Sequence, residues 1–285
     1  MMDYVEMVQA VKRTLITAGS TFQKDKISAY EQAIEREHND KAKWVLEMVL
    51  ENARVAEKNS TPLCDDTGIP HLVLEIGKKR SVTGEMLEAI QAGIKEGLRD
   101  LPGRPMAIKG NDLQRIDQSG GLNEDPAALL SAPILLHYSD KPDTLRLHIL
   151  MFGGGPAIRG RSYRIFHKHS VRVVKNEIIS WAIEAVAQLG CSPCTLAIGI
   201  GRSHFEAASM MLEAQVFGNY NIQSKIEQEI TELVNKSDIG ALGLHGSTSV
   251  LATFLKVGPQ RASGVRIVCL RPCCCFEPRI SSVDL

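Results

Sequence analysis

The sequence predicts an α+β fold, a helical N-terminal part packed on a mixed sheet with interleaved helices. Three observations carry this. In the first sixty residues apolar side chains recur at helical spacing. From Leu72 onward, short apolar or alternating runs suited to strands are separated by longer helical patterns. No internal repeat and no low-complexity linker divides the chain. Residues 1–285 are therefore expected to form one interwoven domain, with 1–60 as its helical part.

Val5, Val8, Val11 and Leu15 mark a first helix. A second is predicted over 28–37. A third is predicted over about 40–58, with Trp44, Val45, Met48, Val49, Asn52 and Val55 on one side. Asn59-Ser60-Thr61-Pro62 ends it, because proline cannot continue a helix. A strand over 72–76 and a helix over 83–99 follow. Strands over 132–138 and 145–152 flank Asp140-Lys141-Pro142-Asp143, which is expected to turn a hairpin. The second of these runs into Gly153-Gly154-Gly155, where a backbone can approach a ligand closely and expose N–H groups. A helix over 171–189 leads to Cys191-Ser192-Pro193-Cys194 and a strand over 195–200. Helices at about 204–216 and 222–235 precede a glycine-rich loop (Gly240 to Gly246), two strands and the run Cys273-Cys274-Cys275.

Composition narrows the function. Basic and acidic side chains balance at 33 each, so a polyanion partner such as nucleic acid is not expected. Arg159, Arg161, Arg164, His167, Lys168, His169 and Arg172 form a local basic stretch that could recognise a small anion. No run approaches the ~20 apolar residues of a membrane helix, and the N-terminus has no basic-then-apolar leader. A cytoplasmic protein is expected, without membrane attachment. Seven cysteines, four of them within seven residues near the C-terminus, fit metal binding in a reducing compartment better than a disulfide framework.

Pro62-Leu63-Cys64-Asp65-Asp66-Thr67-Gly68 sets a thiol beside two carboxylates, just after a long helix. Thiolates bind soft metals, and carboxylates move protons or orient substrates. As plain structure, Cys64 would be a buried thiol and Asp66-Thr67-Gly68 a turn. Cys191 and Cys194 form a CxxC without a second pair, a weak zinc or redox signal. Adjacent thiols point apart, so one of Cys273, Cys274 and Cys275 is expected to be a ligand. His167 and His169 read as a solvated or anion-binding surface more readily than as metal ligands. His245 is a lone loop histidine, catalytic or structural.

Taken together, these motifs resemble the iron–sulfur hydro-lyases of the class I fumarase and tartrate dehydratase family. The match is to the α subunit of the two-subunit form, equivalent to the N-terminal half of the single-chain form. The resemblance runs from about Ala42 through the cysteine run. Its carriers are Glu51-Asn52-Ala53 to Ala56, the Cys64 loop, and Gly153-Gly154-Gly155. They continue with Cys191-Ser192-Pro193 to Gly199-Ile200-Gly201, Gly243-Leu244-His245-Gly246 with Ser247-Thr248, and Cys275 with Arg279 four residues on. It implies a [4Fe–4S] cluster held by Cys64, Cys191 and Cys275, with Cys273 and Cys274 as alternates for the third ligand. It implies a catalytic role for Asp66, and substrate binding by Asp65, Arg104, Gly153, Gly154 and Gly155; His245 is counted as catalytic from its own loop position and not from the resemblance. The implied substrate is a small dicarboxylate of the fumarate/malate or tartrate/oxaloacetate type. The implied partner is a β subunit that supplies the catalytic base, in a heterodimer or larger αβ assembly.

Three departures cluster near the expected substrate region. Asp65 stands where relatives carry Gln, but the larger changes are Pro156-Ala157-Ile158-Arg159-Gly160 after the glycines, Gln260-Arg261 in place of a common histidine, and His245 in place of glycine. They widen the expected substrate to other 2-hydroxy acids. A non-enzymatic zinc or redox protein using Cys191, Cys194 and the tail thiols is the competing reading.

Overall fold

Two four-stranded sheets organise residues 2–285, which are the residues the computed structural model describes. In chain order the helices are α1 (Tyr4–Ser20), α2 (Lys24–Arg36), α3 (Asp40–Asn59), α4 (Gly84–Asp100), α5 (Asp112–Asp117), α6 (Gly154–Arg159), α7 (Val171–Ala187), α8 (His204–Phe217) and α9 (Lys225–Asn235). The strands are β1 (Ile69–Gly77), β2 (Leu135–Ser139), β3 (Leu145–Phe152), β4 (Arg161–Phe166), β5 (Cys194–Gly201), β6 (Val250–Val257), β7 (Val265–Cys273) and β8 (Ile280–Asp284). The α+β class expected from the sequence is the one found. Among the described residues, no helix is long and apolar enough to cross a membrane.

One unit takes the residues up to Thr21, Ala53–Phe152 and Arg279–Leu285. Its sheet has the order β2-β1-β3-β8, with β1 and β2 parallel and the other pairs antiparallel. α1 begins in a capping box in which Asp3 accepts from the Glu6 N–H, and Glu6 from the Asp3 N–H. Its stripe of Met7, Val8, Val11, Leu15 and Ala18 is buried with Ile90 and Ile94 of α4 and with Leu72, Leu74, Leu147 and Ile149 of the sheet. Each fully buried Leu or Ile there contributes about 1.5–3 kcal/mol. Gly93 lets α1 and α4 close up, because a Cβ at that position would lie 2.7 Å from the Val8 carbonyl oxygen.

The other unit takes Phe22–Asn52 and Gly153–Pro278. Its sheet has the order β4-β7-β5-β6, with β5 and β6 parallel. Alternation along β5 splits its side chains between the two faces. Leu196, Ile198 and Ile200 pack with Ile178, Ala182 and Val186 of α7 and Ile230 and Val234 of α9. Gly199 and Gly201 lie on the opposite face, where the backbone of α8 approaches closely. The N-terminal helices are thus shared out: α1 falls in the first unit and α2 in the second.

Several expectations need correction. The expected hairpin at Asp140–Asp143 does not form, because β1 lies between β2 and β3. The connection instead wraps the end of β1, with Lys79 N–H donating to the Pro142 carbonyl at 2.9 Å. On α3 the buried stripe is Ala42, Val45, Leu46, Val49, Leu50, Ala53 and Ala56, while Trp44 is 60% exposed and Met48 and Val55 are exposed too. The expected stripe was displaced by a residue toward the larger side chains. The second helix starts at Lys24 rather than Ser28. The triple glycine opens a helix, α6, instead of remaining a loop. β4, β8 and α5 were not foreseen.

Gly199 supplies a direct test of the second unit. A methyl group there would overlap the main-chain oxygen of Ala207 and nitrogen of Met211. Gly199→Ala should cost about 3 kcal/mol, at the upper end of overpacking effects, measured as a shift in urea midpoint. A shift under a third of that would show that α8 moves freely away from β5.

Candidate active site

In the first unit the Cys64 loop is pinned at both ends. α3 closes with Ser60 in the left-handed region and Thr61 N–H donating to the Ala56 carbonyl at 3.0 Å. Leu63 is buried, and its N–H donates to the Gly19 carbonyl at 2.9 Å. Arg279 holds the other end. Its Nη1 donates to the Asp66 carbonyl at 2.6 Å and its Nε to the Met151 carbonyl at 3.3 Å. Gly68 is required here. It has φ +85°, and a Cβ would lie 2.7 Å from Arg279 Nη2 and 2.8 Å from the Phe152 carbonyl oxygen. These anchors leave Cys64 half-buried, its thiol donating to Asp65 Oδ1 at 3.4 Å.

Asp65 and Arg104, both expected at the substrate, are brought together. Arg104 Nη1 lies 3.3 Å from Asp65 Oδ2, with both side chains exposed. Such a pair is worth about 1 kcal/mol or less, so another anion can displace Asp65 from the guanidinium cheaply. The segment before Arg104 rests on the buried Thr67, against which a Cβ at Gly103 would clash.

In the second unit Cys191 is exposed and Cys275 is buried. The Cys275 N–H donates to the Cys191 carbonyl at 2.9 Å, which joins two of the expected ligand positions. Tyr30 Oη donates to the Cys275 carbonyl at 2.7 Å. The hydrogen bond its thiol donates to Cys274 and burial both push the Cys275 thiol up, and the nearby Cys191 adds to this. Cys273 turns away, its Sγ 3.3 Å from Gln215 Oε1 of α8. Burial pushes it up as well. Cys194 is fully buried in the apolar core of β5, so the CxxC does not present two accessible thiols.

The glycine turn is clamped to the same region. Gly153 is the N-cap of α6, and Gly154 and Gly155 occupy its first turn. The Gly153 carbonyl accepts from Arg271 Nη2 at 3.0 Å, and its N–H donates to Glu277 Oε1. Arg271 and Glu277 pair at 2.9 Å, 4% and 1% exposed. Lys26 Nζ donates to the Glu277 carbonyl at 2.9 Å. Gly154 and Gly155 are exposed, and nothing lies within 4 Å of a Cβ built on Gly155. Packing does not demand glycine there, so its smallness leaves room beside the backbone.

His245 is exposed on the loop that follows α9. Its Nδ1 lies 3.0 Å from the Asp238 carbonyl oxygen and 3.3 Å from Asp238 Oδ2. It lines an open cavity of about 620 Å³ with Glu37, Asn39, Asn235 and Asp238. The other end of its loop is tied beside Cys191, with Ser192 Oγ donating to the Gly240 carbonyl at 2.7 Å. His167 and His169 serve a turn: His167 Nε2 sits 2.7 Å from the Ser263 carbonyl oxygen, and its Nδ1 accepts from the His169 N–H at 2.9 Å. Lys26, Arg271, Glu277 and Glu37 were missed from the sequence, although Glu277 stands between Cys275 and Arg279. Among the described residues, no group of three or more His, Cys, Asp or Glu is gathered around the position of a single metal ion.

Comparison with known proteins gives a consistent result. The model of the family described as fumarate hydratase (Fumerase) matches residues 8–283. A Methanocaldococcus jannaschii protein provisionally named L(+)-tartrate dehydratase subunit alpha is 26% identical over 257 residues, 86% of this chain and 86% of that protein. The L(+)-tartrate dehydratase subunit alpha of Escherichia coli K12 is 23% identical over 258 residues, 87% of this chain and 81% of that protein. A Geobacillus stearothermophilus protein provisionally named fumarate hydratase class I is 23% identical over 267 residues, 89% of this chain but 50% of that longer protein.

Burial pulls the Lys26 ammonium down to about 8 from 10.5, against the raising influence of the cysteines and Glu277. Between those values the unfolded chain binds more protons, so stability rises with pH. Relative to the non-titrating Lys26→Met variant, the metal-free protein should gain roughly 3 kcal/mol from below pH 8 to above 10.5. Urea unfolding of both proteins at the two ends of this window measures the gap, and a constant gap refutes the assignment.

Proposed function

The chain belongs to the fumarate hydratase family, and on that premise we propose that it is the cluster-bearing α subunit of a hydro-lyase. The reaction is the reversible addition and removal of water on a small dicarboxylate, of the fumarate/malate or tartrate/oxaloacetate type. The partner is a β subunit, as the names of two relatives given above carry "subunit alpha". The observation that carries the reading is the backbone hydrogen bond joining Cys275 to Cys191, within a family match that spans nearly the whole chain.

The donor set fits a [4Fe–4S] cluster. Cys64, Cys191 and Cys275 are all thiols on loops or turns, and thiolate-only ligation suits iron–sulfur centres. Cys275 is favoured over Cys273, whose thiol is engaged with Gln215. When bound, such a cluster supplies an open iron as a Lewis acid toward the substrate's oxygens.

The chain's own residues bind and orient. Arg104 exchanges Asp65 for a substrate carboxylate, with the two parallel hydrogen bonds a guanidinium offers. The first turn of α6 meets the other carboxylate through backbone N–H groups, in the space beside Gly155. Asp66, fixed through its carbonyl by Arg279, presents its carboxylate to the substrate. His245, oriented by Asp238, is the proton carrier on this chain. The base that removes the carbon-bound proton belongs to the β subunit. Pro156 to Arg159, in the body of α6, shape the end of the substrate that differs between fumarate and its analogues.

Anaerobic reconstitution with iron and sulfide tests the ligand set. Cys64→Ser, Cys191→Ser and Cys275→Ser should each bring iron content to background, while Cys273→Ser should retain it. Full iron in the first three, or loss confined to the fourth, overturns the assignment. Turnover of fumarate, malate and tartrate by the αβ complex then identifies the substrate. Gly155→Ala should leave stability within about 0.5 kcal/mol, since a methyl fits. It should raise the KM about tenfold, roughly the effect of one lost hydrogen bond. An unchanged KM would remove the glycine turn from the site.

A further inference from the structure

β4 is an outer strand, paired only with β7 along an unbroken six-residue register from Arg161↔Leu270 to Phe166↔Val265. Its other side presents a row of backbone N–H and C=O groups, the kind of edge that natural sheets usually shorten, bulge or cover. Here it is open. Ser162, Tyr163, Arg164 and Phe166 are exposed, Tyr163 by 50% and Phe166 by 59%. Phe205, at the start of α8, adds an exposed ring to the rim, and Ser162 Oγ lies 2.9 Å from His204 Nδ1 beside it.

The charge along this edge has one sign. Residues 159–172 contain Arg159, Arg161, Arg164, Lys168 and Arg172 and no Asp or Glu. Glu184 answers Arg161 at 2.7 Å. We propose that the free edge of β4 accepts an acidic, extended segment of a different chain as an added strand. Backbone hydrogen bonds would supply the pairing, and the cations would select the partner.

A second copy of this chain fits poorly, because pairing two β4 edges would set cations against cations, and like charges placed opposite are destabilising. Single-stranded nucleic acid fits less well than an acidic strand. Base stacking needs open ring faces, whereas Tyr163 packs edge-on against Trp181 with centroids 5.0 Å apart, and Arg164 lies 5.9 Å over Phe166. The proposal goes beyond the hydro-lyase reading, which needs a partner subunit but gives it no docking surface. Its test uses neither iron nor substrate, so the two can fail separately.

The probes are a short peptide alternating Val and Glu, its Lys-for-Glu counterpart, an acidic peptide N-methylated at alternate residues, and an oligothymidylate. Each is titrated into the full chain by fluorescence anisotropy, with hydrogen–deuterium exchange read over 161–166. The acidic peptide should bind at least about tenfold more tightly than the basic one, weaken with salt, and slow exchange at 161–166. N-methylation should abolish binding, and Arg164→Glu with Arg172→Glu should reverse the charge preference. Equal binding of the two peptides, or protection elsewhere than 161–166, overturns the proposal. So does tighter binding of the oligothymidylate, or self-association of the chain that protects the same residues.

Discussion

A buried ion pair, Arg271 with Glu277, fixes where the cysteine turn can go. Removing two such charges from water costs several kcal/mol each, and their attraction recovers it only when the remaining polar atoms are satisfied. Here the pair recruits both backbone groups of Gly153. Lys26 approaches through the Glu277 carbonyl, and the Glu277 N–H closes on the Cys274 carbonyl at 2.9 Å. The turn carrying Cys275 and the start of α6 are therefore positioned by one set of charge-assisted bonds. A hydrophobic replacement of similar volume could fill the space, but it could not orient Gly153. The glycine turn owes its direction to electrostatics and its openness to the absent side chain at Gly155.

The Cys64 loop solves the same problem with a single guanidinium. Arg279 donates to two main-chain oxygens, those of Asp66 and Met151. Pinning a loop through its backbone fixes where its side chains project, as a preorganised site requires. The left-handed glycine at position 68 is the geometric condition for this, because any Cβ would push the guanidinium off its acceptors.

Much of the candidate site was legible as a proposal because its residues sit in short contiguous motifs. Cys64-Asp65-Asp66, the triple glycine and the cysteine run each announce themselves by composition alone. The partners that hold them are not local. Lys26 meets Glu277 across some 250 positions, and one sequence carries no signal for such a pairing. The long helices were legible from their period, except that on α3 the bulk of Trp44 and Met48 drew the expected stripe off the smaller residues that are buried. β4 was hidden because its arginines read as a basic stretch, although Tyr163 and Ile165 alternate beneath them. α6 was hidden because three glycines ordinarily signal a loop. The expected hairpin at Asp140–Asp143 failed for a topological reason: a turn sequence shows that the chain reverses, not which strand it will meet.

The order in which the first sheet is completed has a consequence for synthesis. β3 is made near the middle of the chain, and all but one of its eight residues end up buried. One of its neighbours, β8, is made only after the whole of Gly153–Pro278. While the intervening segment is translated, β3 keeps an apolar, unpaired edge, the kind of surface that draws in other chains. Long-range pairing of this sort also forms slowly, because loop closure must precede the contacts that reward it. A nascent chain stalled before β8 would therefore be a ready substrate for chaperones, and removal of β8 would be expected to lower yield before it alters chemistry.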